Sequence, residues 1–295
     1  MKKKDIANAI GVHPSTVTRE IQRNSGTRGK YNWQTAHSNA VYHKHRTPGN
    51  RAVRHELAVE ATRLLVAHKW SPEQISGYLR KEGKLISHET IYTLIRKDKR
   101  EGGELYKSCR HALKHRRRAV CGSRSAIPNR TGIEHRPKEA DGKRFGDFEM
   151  DTIIGKGNKS AIVTIIERST NMLFMRKLND GKNAKELAKI VIRLLRPYKG
   201  FVKTITTDNG KEFACHEMIA DALDTKVYFA DPYASWQKGA VENVNGLIRQ
   251  YIPKKTAFED ISHQQITRYM HEINNRPRKK LEFSTPRECF LNRIL

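Results

Sequence analysis

The chain has 295 residues and a formal net charge of +26. At roughly 100 to 200 residues per domain, that length allows two or three domains. The positive excess points to a polyanionic partner, because Lys and Arg gain affinity by releasing counterions condensed on nucleic acid. No stretch approaches the roughly 18 consecutive apolar residues of a membrane helix, and the opening Met-Lys-Lys-Lys-Asp runs into a helical pattern rather than an apolar signal core. No membrane partner is expected. Cys109, Cys121, Cys215 and Cys289 form no Cys-x-x-Cys pair, which argues against a zinc site or a disulfide framework.

Residues 1 to 140 hold 30 Lys and Arg against 12 Asp and Glu, so most of the charge lies in the N-terminal half, the expected main DNA-holding part. Ile6 and Ile10, then Val17 and Ile21, each stand four apart across a turn at Gly11-Val12-His13, the spacing of two helices sharing one face. Pro14 suits the first position of the second helix, which presents Ser15, Thr16, Thr18, Arg19 and Arg23 to base edges and phosphates as recognition helices do. A second helix-turn-helix begins at Ser71-Pro72-Glu73-Gln74, a capping-box pattern, and repeats after Ser87 with Ile91, Leu94 and Ile95. It either binds DNA or packs on another domain. From Lys99 to Arg144 periodicity lapses around Arg116-Arg117-Arg118, which reads as a basic linker lying on DNA.

The C-terminal half changes character. Apolar, β-branched runs at about 146–154, 160–167 and 172–178 suit an antiparallel meander. A helix through Leu187, Val191, Leu194 and Leu195 stops at Pro197, followed by a strand at 202–208, a helix near 212–223, a strand at 226–230 and a helix at about 239–252. Three strands and then alternating helix and strand describe a ribonuclease-H-like α/β core with a mixed five-stranded sheet flanked by helices. The fold class expected is therefore multidomain, with α-helical helix-turn-helix units preceding this core.

Within the first strand Asp147, Glu149 and Asp151 project from one face, and three acids there are hard to bury without a metal or a basic partner. Asp208 ends the fourth strand at an Asn209-Gly210 turn. In the last helix Val241, Val244, Ile248 and Tyr251 form an apolar stripe while Glu242, Asn245 and Arg249 share another face. Asp151, Asp208 and Glu242 together could hold two divalent metals for phosphodiester chemistry.

Residues 145–289 resemble the integrase and transposase catalytic core that carries an Asp, Asp, Glu triad. The arrangement is similar to the IS30 family of bacterial insertion-sequence transposases, through Phe148-Glu149-Met150-Asp151, Thr207-Asp208-Asn209-Gly210-Lys211-Glu212-Phe213, Trp236 to Asn245 continuing to Arg249, Pro253 and Lys254, and Asn274-Asn275-Arg276-Pro277 with Thr285-Pro286. His13-Pro14-Ser15-Thr16-Val17 and Arg19-Glu20 resemble that family's first helix-turn-helix. The resemblance implies that Asp151, Asp208 and Glu242 are catalytic and hold two Mg²⁺ ions, with Mn²⁺ able to substitute and Asp151 bridging. It implies that Asn243, Asn245 and Arg249 support the acids or the DNA backbone. The implied activity is binding of terminal inverted repeats, metal-dependent 3′-end cleavage and strand transfer, by a cytoplasmic bacterial protein that joins the nucleoid when bound and forms a homo-oligomer on transposon-end and target DNA. The implied domains are 1–50 and 51–100 (helix-turn-helix), 101–144 (linker) and 145–295 (catalytic). Phe148 stands where a Trp is usual, and the chain begins inside the first helix-turn-helix, so N-terminal truncation is expected. The rival readings are a ribonuclease-H-like nuclease without strand transfer and a non-enzymatic helix-turn-helix regulator.

Overall fold

A computed structural model describes residues 2–26, 29–45, 53–112, 127–158, 160–179, 181, 183–232 and 234–295. They fall into two compact units, Met1–Arg54 and His55–Leu295.

In the first unit α1 (Lys3–Ala9) turns through Gly11 at φ +68° into α2 (Pro14–Asn24), whose N-terminus is capped by the His13 ring accepting from Ser15 N–H at 3.3 Å. Ala7 and Val17 are buried between them. Ile10 is not part of that face: α1 ends at Ala9, and Ile10, now in the turn, is 62% exposed. α3 (Trp33–His45) follows and is pinned by Asn39 Nδ2 donating to Asn24 Oδ1 at 3.0 Å. Sequence periodicity did not predict α3, because its apolar residues are scattered and, among its described side chains, Ala36 alone is buried.

The second unit opens with α4 (His55–His68), also unpredicted, which buries Ala61, Leu64 and Leu65. α5 (Pro72–Lys81) starts at the expected capping box, Ser71 with Gln74, and buries Ile75 and Leu79. α6 (His88–Arg100) is capped by Ser87 and buries Ile91 and Ile95. This trio packs on the C-terminal end of the chain. Arg276, 1% exposed, donates to Gln74 Oε1 and Gln250 Oε1 at 2.7 Å each and to the Lys69 carbonyl, while Gln74 Nε2 donates to Pro277 O at 2.8 Å. Burial pulls the Arg276 guanidinium down to about 10, so it is still charged at neutral pH among neutral acceptors.

The core is a mixed sheet in the order β1-β6-β5-β2-β3-β4: β1 (Thr131–Gly132), β2 (Asp147–Ile154), β3 (Ala161–Glu167), β4 (Leu173–Leu178), β5 (Thr204–Thr207) and β6 (Lys226–Phe229). β2, β3 and β4 form the expected antiparallel meander, and β5, β6 and β1 continue it in parallel. Six strands replace the expected five. The additional one, two residues long beside β6, comes from the stretch read as linker, where so short an edge strand leaves no alternation to detect. Arg116, Arg117 and Arg118 lie outside the described residues.

One face of the sheet is covered by α7 (Ala184–Leu195), α8 (His216–Leu223) and α11 (Pro286–Ile294), with Phe148, Met150, Leu187, Val191, Ile219 and Phe290 in the core between. The other is covered by α9 (Gly239–Ile248) and α10 (His263–Asn274), through Ile153, Ile162, Val241, Val244, Ile248 and Ile266. α9 stops four residues short of the expected 252, with Tyr251 N–H and Ile252 N–H closing on Ile248 O just before Pro253. At the outer strand, the Asn274 side chain pairs with both backbone groups of Leu173, at 2.9 and 2.8 Å.

Candidate active site

Strand alternation sends Asp147, Glu149 and Asp151 toward the α9 side of β2, and each meets a cation. Asp147 is fully buried and held bidentately by Arg144 (2.9 and 2.7 Å), with the Thr204 hydroxyl donating at 2.7 Å. Glu149, 1% exposed, pairs with Arg168 at 2.9 Å and accepts the Val241 N–H, in the first turn of α9, at 2.9 Å. A carboxylate there meets the positive end of the helix, so Glu149 positions α9 rather than facing an open site.

Asp151 lies further along β2. Asp208 follows β5, the parallel neighbour of β2, and the two aspartates meet at a third residue, Lys238, whose Nζ stands 3.4 Å from Asp151 Oδ1 and 3.2 Å from Asp208 Oδ2. The remaining carboxylate oxygens are engaged by the protein: Asn245 Nδ2 donates to Asp151 Oδ2 at 2.8 Å, and Gly210 N–H donates to Asp208 Oδ1 at 3.0 Å. A Cβ at Gly210 would come within 2.7 Å of the buried Glu212 carboxylate, so a larger residue there requires that side chain to shift. Burial pushes the Asp151 carboxyl above the usual carboxylate range, with Asp208 adding to the shift and Lys238 partly offsetting it. For Lys238, burial lowers the ammonium, but the two aspartates outweigh it and leave it raised.

Glu242 lies on α9 one turn beyond Lys238, half-buried, with no hydrogen-bond or ion-pair partner among the described residues. It is not gathered with the aspartates: among the described residues no three His, Cys, Asp or Glu side chains are close enough together to hold an ion. Asn245 is brought to the site, its Oδ1 accepting from the Thr164 hydroxyl of β3 at 3.0 Å. Arg249 donates to the carbonyls of Ile154 and Pro253 at 3.3 and 3.4 Å, tying α9 to the end of β2. Asn243 points elsewhere and is clasped by Arg110 through its Oδ1 (2.9 Å) and backbone carbonyl (3.1 Å). That clasp needs Gly246, where a Cβ would lie 2.2 Å from Arg110 Nη2.

In the first unit Thr16, Arg19 and Arg23 are exposed, whereas Thr18 back-bonds to Pro14 O at 3.1 Å and Ser15 is engaged with His13 at the helix cap. Three residues near α9 were assigned no role of their own from the sequence, Lys238 and Trp236 being read only within the Trp236 to Asn245 stretch. Lys238 carried the signal of a cation four residues before Glu242, Trp236 at 77% exposure is an unexpectedly bare aromatic, and Arg110 was hidden in the presumed linker.

The integrase core domain family matches residues 137–235, a span that includes Asp151 and Asp208. The chain is 48% identical to the transposase of insertion sequence element IS4351 from Bacteroides fragilis, over 98% of this chain and 90% of that one. It is 33% identical to transposase InsI of IS30C from Escherichia coli K12, over 98% and 78%. The chain belongs to the IS30-like family of insertion-sequence transposases. A further relative in this family, the IS1086 transposase of Cupriavidus metallidurans, is 32% identical over 95% of this chain and 86% of its own length. Among the described residues of this transposase no helix is long and apolar enough to cross a membrane.

Proposed function

We propose that this transposase binds the terminal inverted repeats of its element, cleaves at the 3′ ends, and joins the resulting 3′-hydroxyls to target DNA, with Asp151, Asp208 and Glu242 as the catalytic acids. The observation that carries the reading is the convergence of one oxygen each from Asp151, midway along β2, and Asp208, just after the parallel neighbour β5, on a single cationic position. Carboxylate oxygens alone suit a hard divalent cation, and Glu242, which does not stand with the two aspartates here, has an uncommitted carboxylate on the adjoining helix that would complete the set. A pair of Mg²⁺ ions held there, or Mn²⁺ in their place, would supply Lewis-acid stabilisation of phosphoryl charge and a nucleophile ionised at neutral pH. The chain's own part is to orient the acids. Asn245 fixes Asp151, Gly210 N–H fixes Asp208, and Glu149 and Arg249 hold α9 against β2.

Replacing Asp151, Asp208 or Glu242 singly by Ala should abolish cleavage and joining on an inverted-repeat substrate while a mobility shift of the same DNA persists. Near-normal joining by Glu242→Ala would remove Glu242 from the triad. Cleavage without any joined product in the native protein would favour a nuclease instead. Calcium should support binding without turnover, because its looser coordination holds in-line geometry poorly.

A further inference from the structure

We propose that Lys238 is the built-in counter-ion of the metal-free active site: its ammonium holds Asp151 and Asp208 together until a divalent cation takes its place, so that lysine and cation compete for the same two carboxylates. This rests on the reading of those aspartates as metal ligands.

Three observations carry the inference. First, each aspartate gives one oxygen to a protein N–H and aims the other at Nζ, 3.4 and 3.2 Å away. An ammonium is the side-chain group closest to a compact point cation, and two carboxylates turned toward one position without one would repel each other. Second, the Lys238 side chain is only 7% exposed, and among the described residues no other lysine is buried. A buried ammonium is costly unless paired, and Lys238 is paired with the two aspartates. Third, Lys238 caps the N-terminus of α9, where the helix dipole disfavours a positive charge. A lysine kept at the wrong end of a helix, away from water, is explained by the two acids it joins. Its flexible four-carbon stem also lets it withdraw when a doubly charged ion arrives, leaving Glu242, one turn along the same helix face, as the next acid toward that ion.

The test uses the full chain without DNA, comparing the native protein with Lys238→Met, Lys238→Arg and Asp208→Asn. Mn²⁺ binding is read from the loss of its free-ion paramagnetic resonance signal, and stability from thermal melting in EDTA and in Mn²⁺. Lys238→Met should melt lower than the native protein in EDTA and recover in Mn²⁺, and it should bind Mn²⁺ about tenfold more tightly, the effect of removing one competing charge. Lys238→Arg should behave as the native protein in EDTA. Lys238→Gln replaces Lys238→Met should the latter not be recovered folded. Unchanged melting in EDTA, or Mn²⁺ binding no tighter than native, overturns the proposal. Asp208→Asn separates the two ideas: if it binds Mn²⁺ as well as the native protein, the assignment of the aspartates as ligands fails. If it loses binding while Lys238→Met matches the native protein, only the role of Lys238 fails.

Discussion

Asn245 donates its side-chain amide to Asp151 across the gap between α9 and β2, at 2.8 Å, and the Thr164 hydroxyl on β3 fixes which end of that amide points to the acid. One helix residue therefore sets the orientation of a strand carboxylate. Asn245→Ala leaves an Asp151 oxygen and the Thr164 hydroxyl without these partners, and should cost about 1–3 kcal/mol of stability. Joining should fall about 10- to 100-fold, the usual effect of removing a group that orients a ligand, with the DNA mobility shift unaltered. A joining rate equal to the native one would show that Asp151 does not depend on this amide.

Glu149 gives a contrasting case on the same strand. Its buried carboxylate balances Arg168 and receives the Val241 N–H. Glu149→Ala should therefore lower the melting temperature strongly, by about 3–5 kcal/mol in stability, because it strands a half of a buried pair. Glu149→Gln, which can still accept from Val241, should be milder. If Glu149 were a metal ligand, the loss would be in metal affinity with melting little changed.

The Arg276 cluster predicts where the chain can be divided. A fragment beginning at His55 should unfold in a single transition, whereas one beginning at about residue 127 lacks Gln74 and Lys69 and should be markedly less stable. Arg276→Ala in the full chain should destabilise by several kcal/mol, since three acceptors lose a charged donor at about 1.5–3 kcal/mol for such bonds. Equal melting of the two fragments in calorimetry would mean that α4 to α6 are only loosely attached.

Arg19 is exposed on α2, beside Thr16 and Arg23. Arg19→Ala should weaken binding to the inverted repeat by about 1–3 kcal/mol while hardly changing binding to unrelated DNA, as for a lost base contact. Competition titrations measure both. An equal loss on every sequence would make it a phosphate contact.

The α/β core was legible because its strands and helices carry period-2 and period-3.6 apolar patterns, and because each acid proposed as catalytic sits at the end or on the face of such an element. α5 and α6 were legible from their caps, Ser71 and Ser87. α3 was not, because among its described side chains it buries Ala36 alone, nor was β1, which is two residues long. The roles of Glu149 and Asp151 could not be told apart from alternation alone. What separates them is a long-range neighbour: the Val241 N–H and Arg168 for one, Lys238 and Asn245 for the other. Lys238 stayed hidden for the same reason, since a lysine before a helix reads as solvated until its two acids are seen to close around it.

The Asn274 side chain, bonded to both backbone groups of Leu173, acts as a one-residue strand laid along the outer margin of the sheet. Unpaired margins of this kind invite a neighbouring chain to add on by backbone pairing, which is a route to aggregation. The Asn274 amide occupies the outward donor and acceptor of the first residue of β4, so an added strand cannot start its pairing there. The first Asn of the Asn-Asn-Arg-Pro run thus closes one end of the sheet margin, while its Arg fastens the helices before the core.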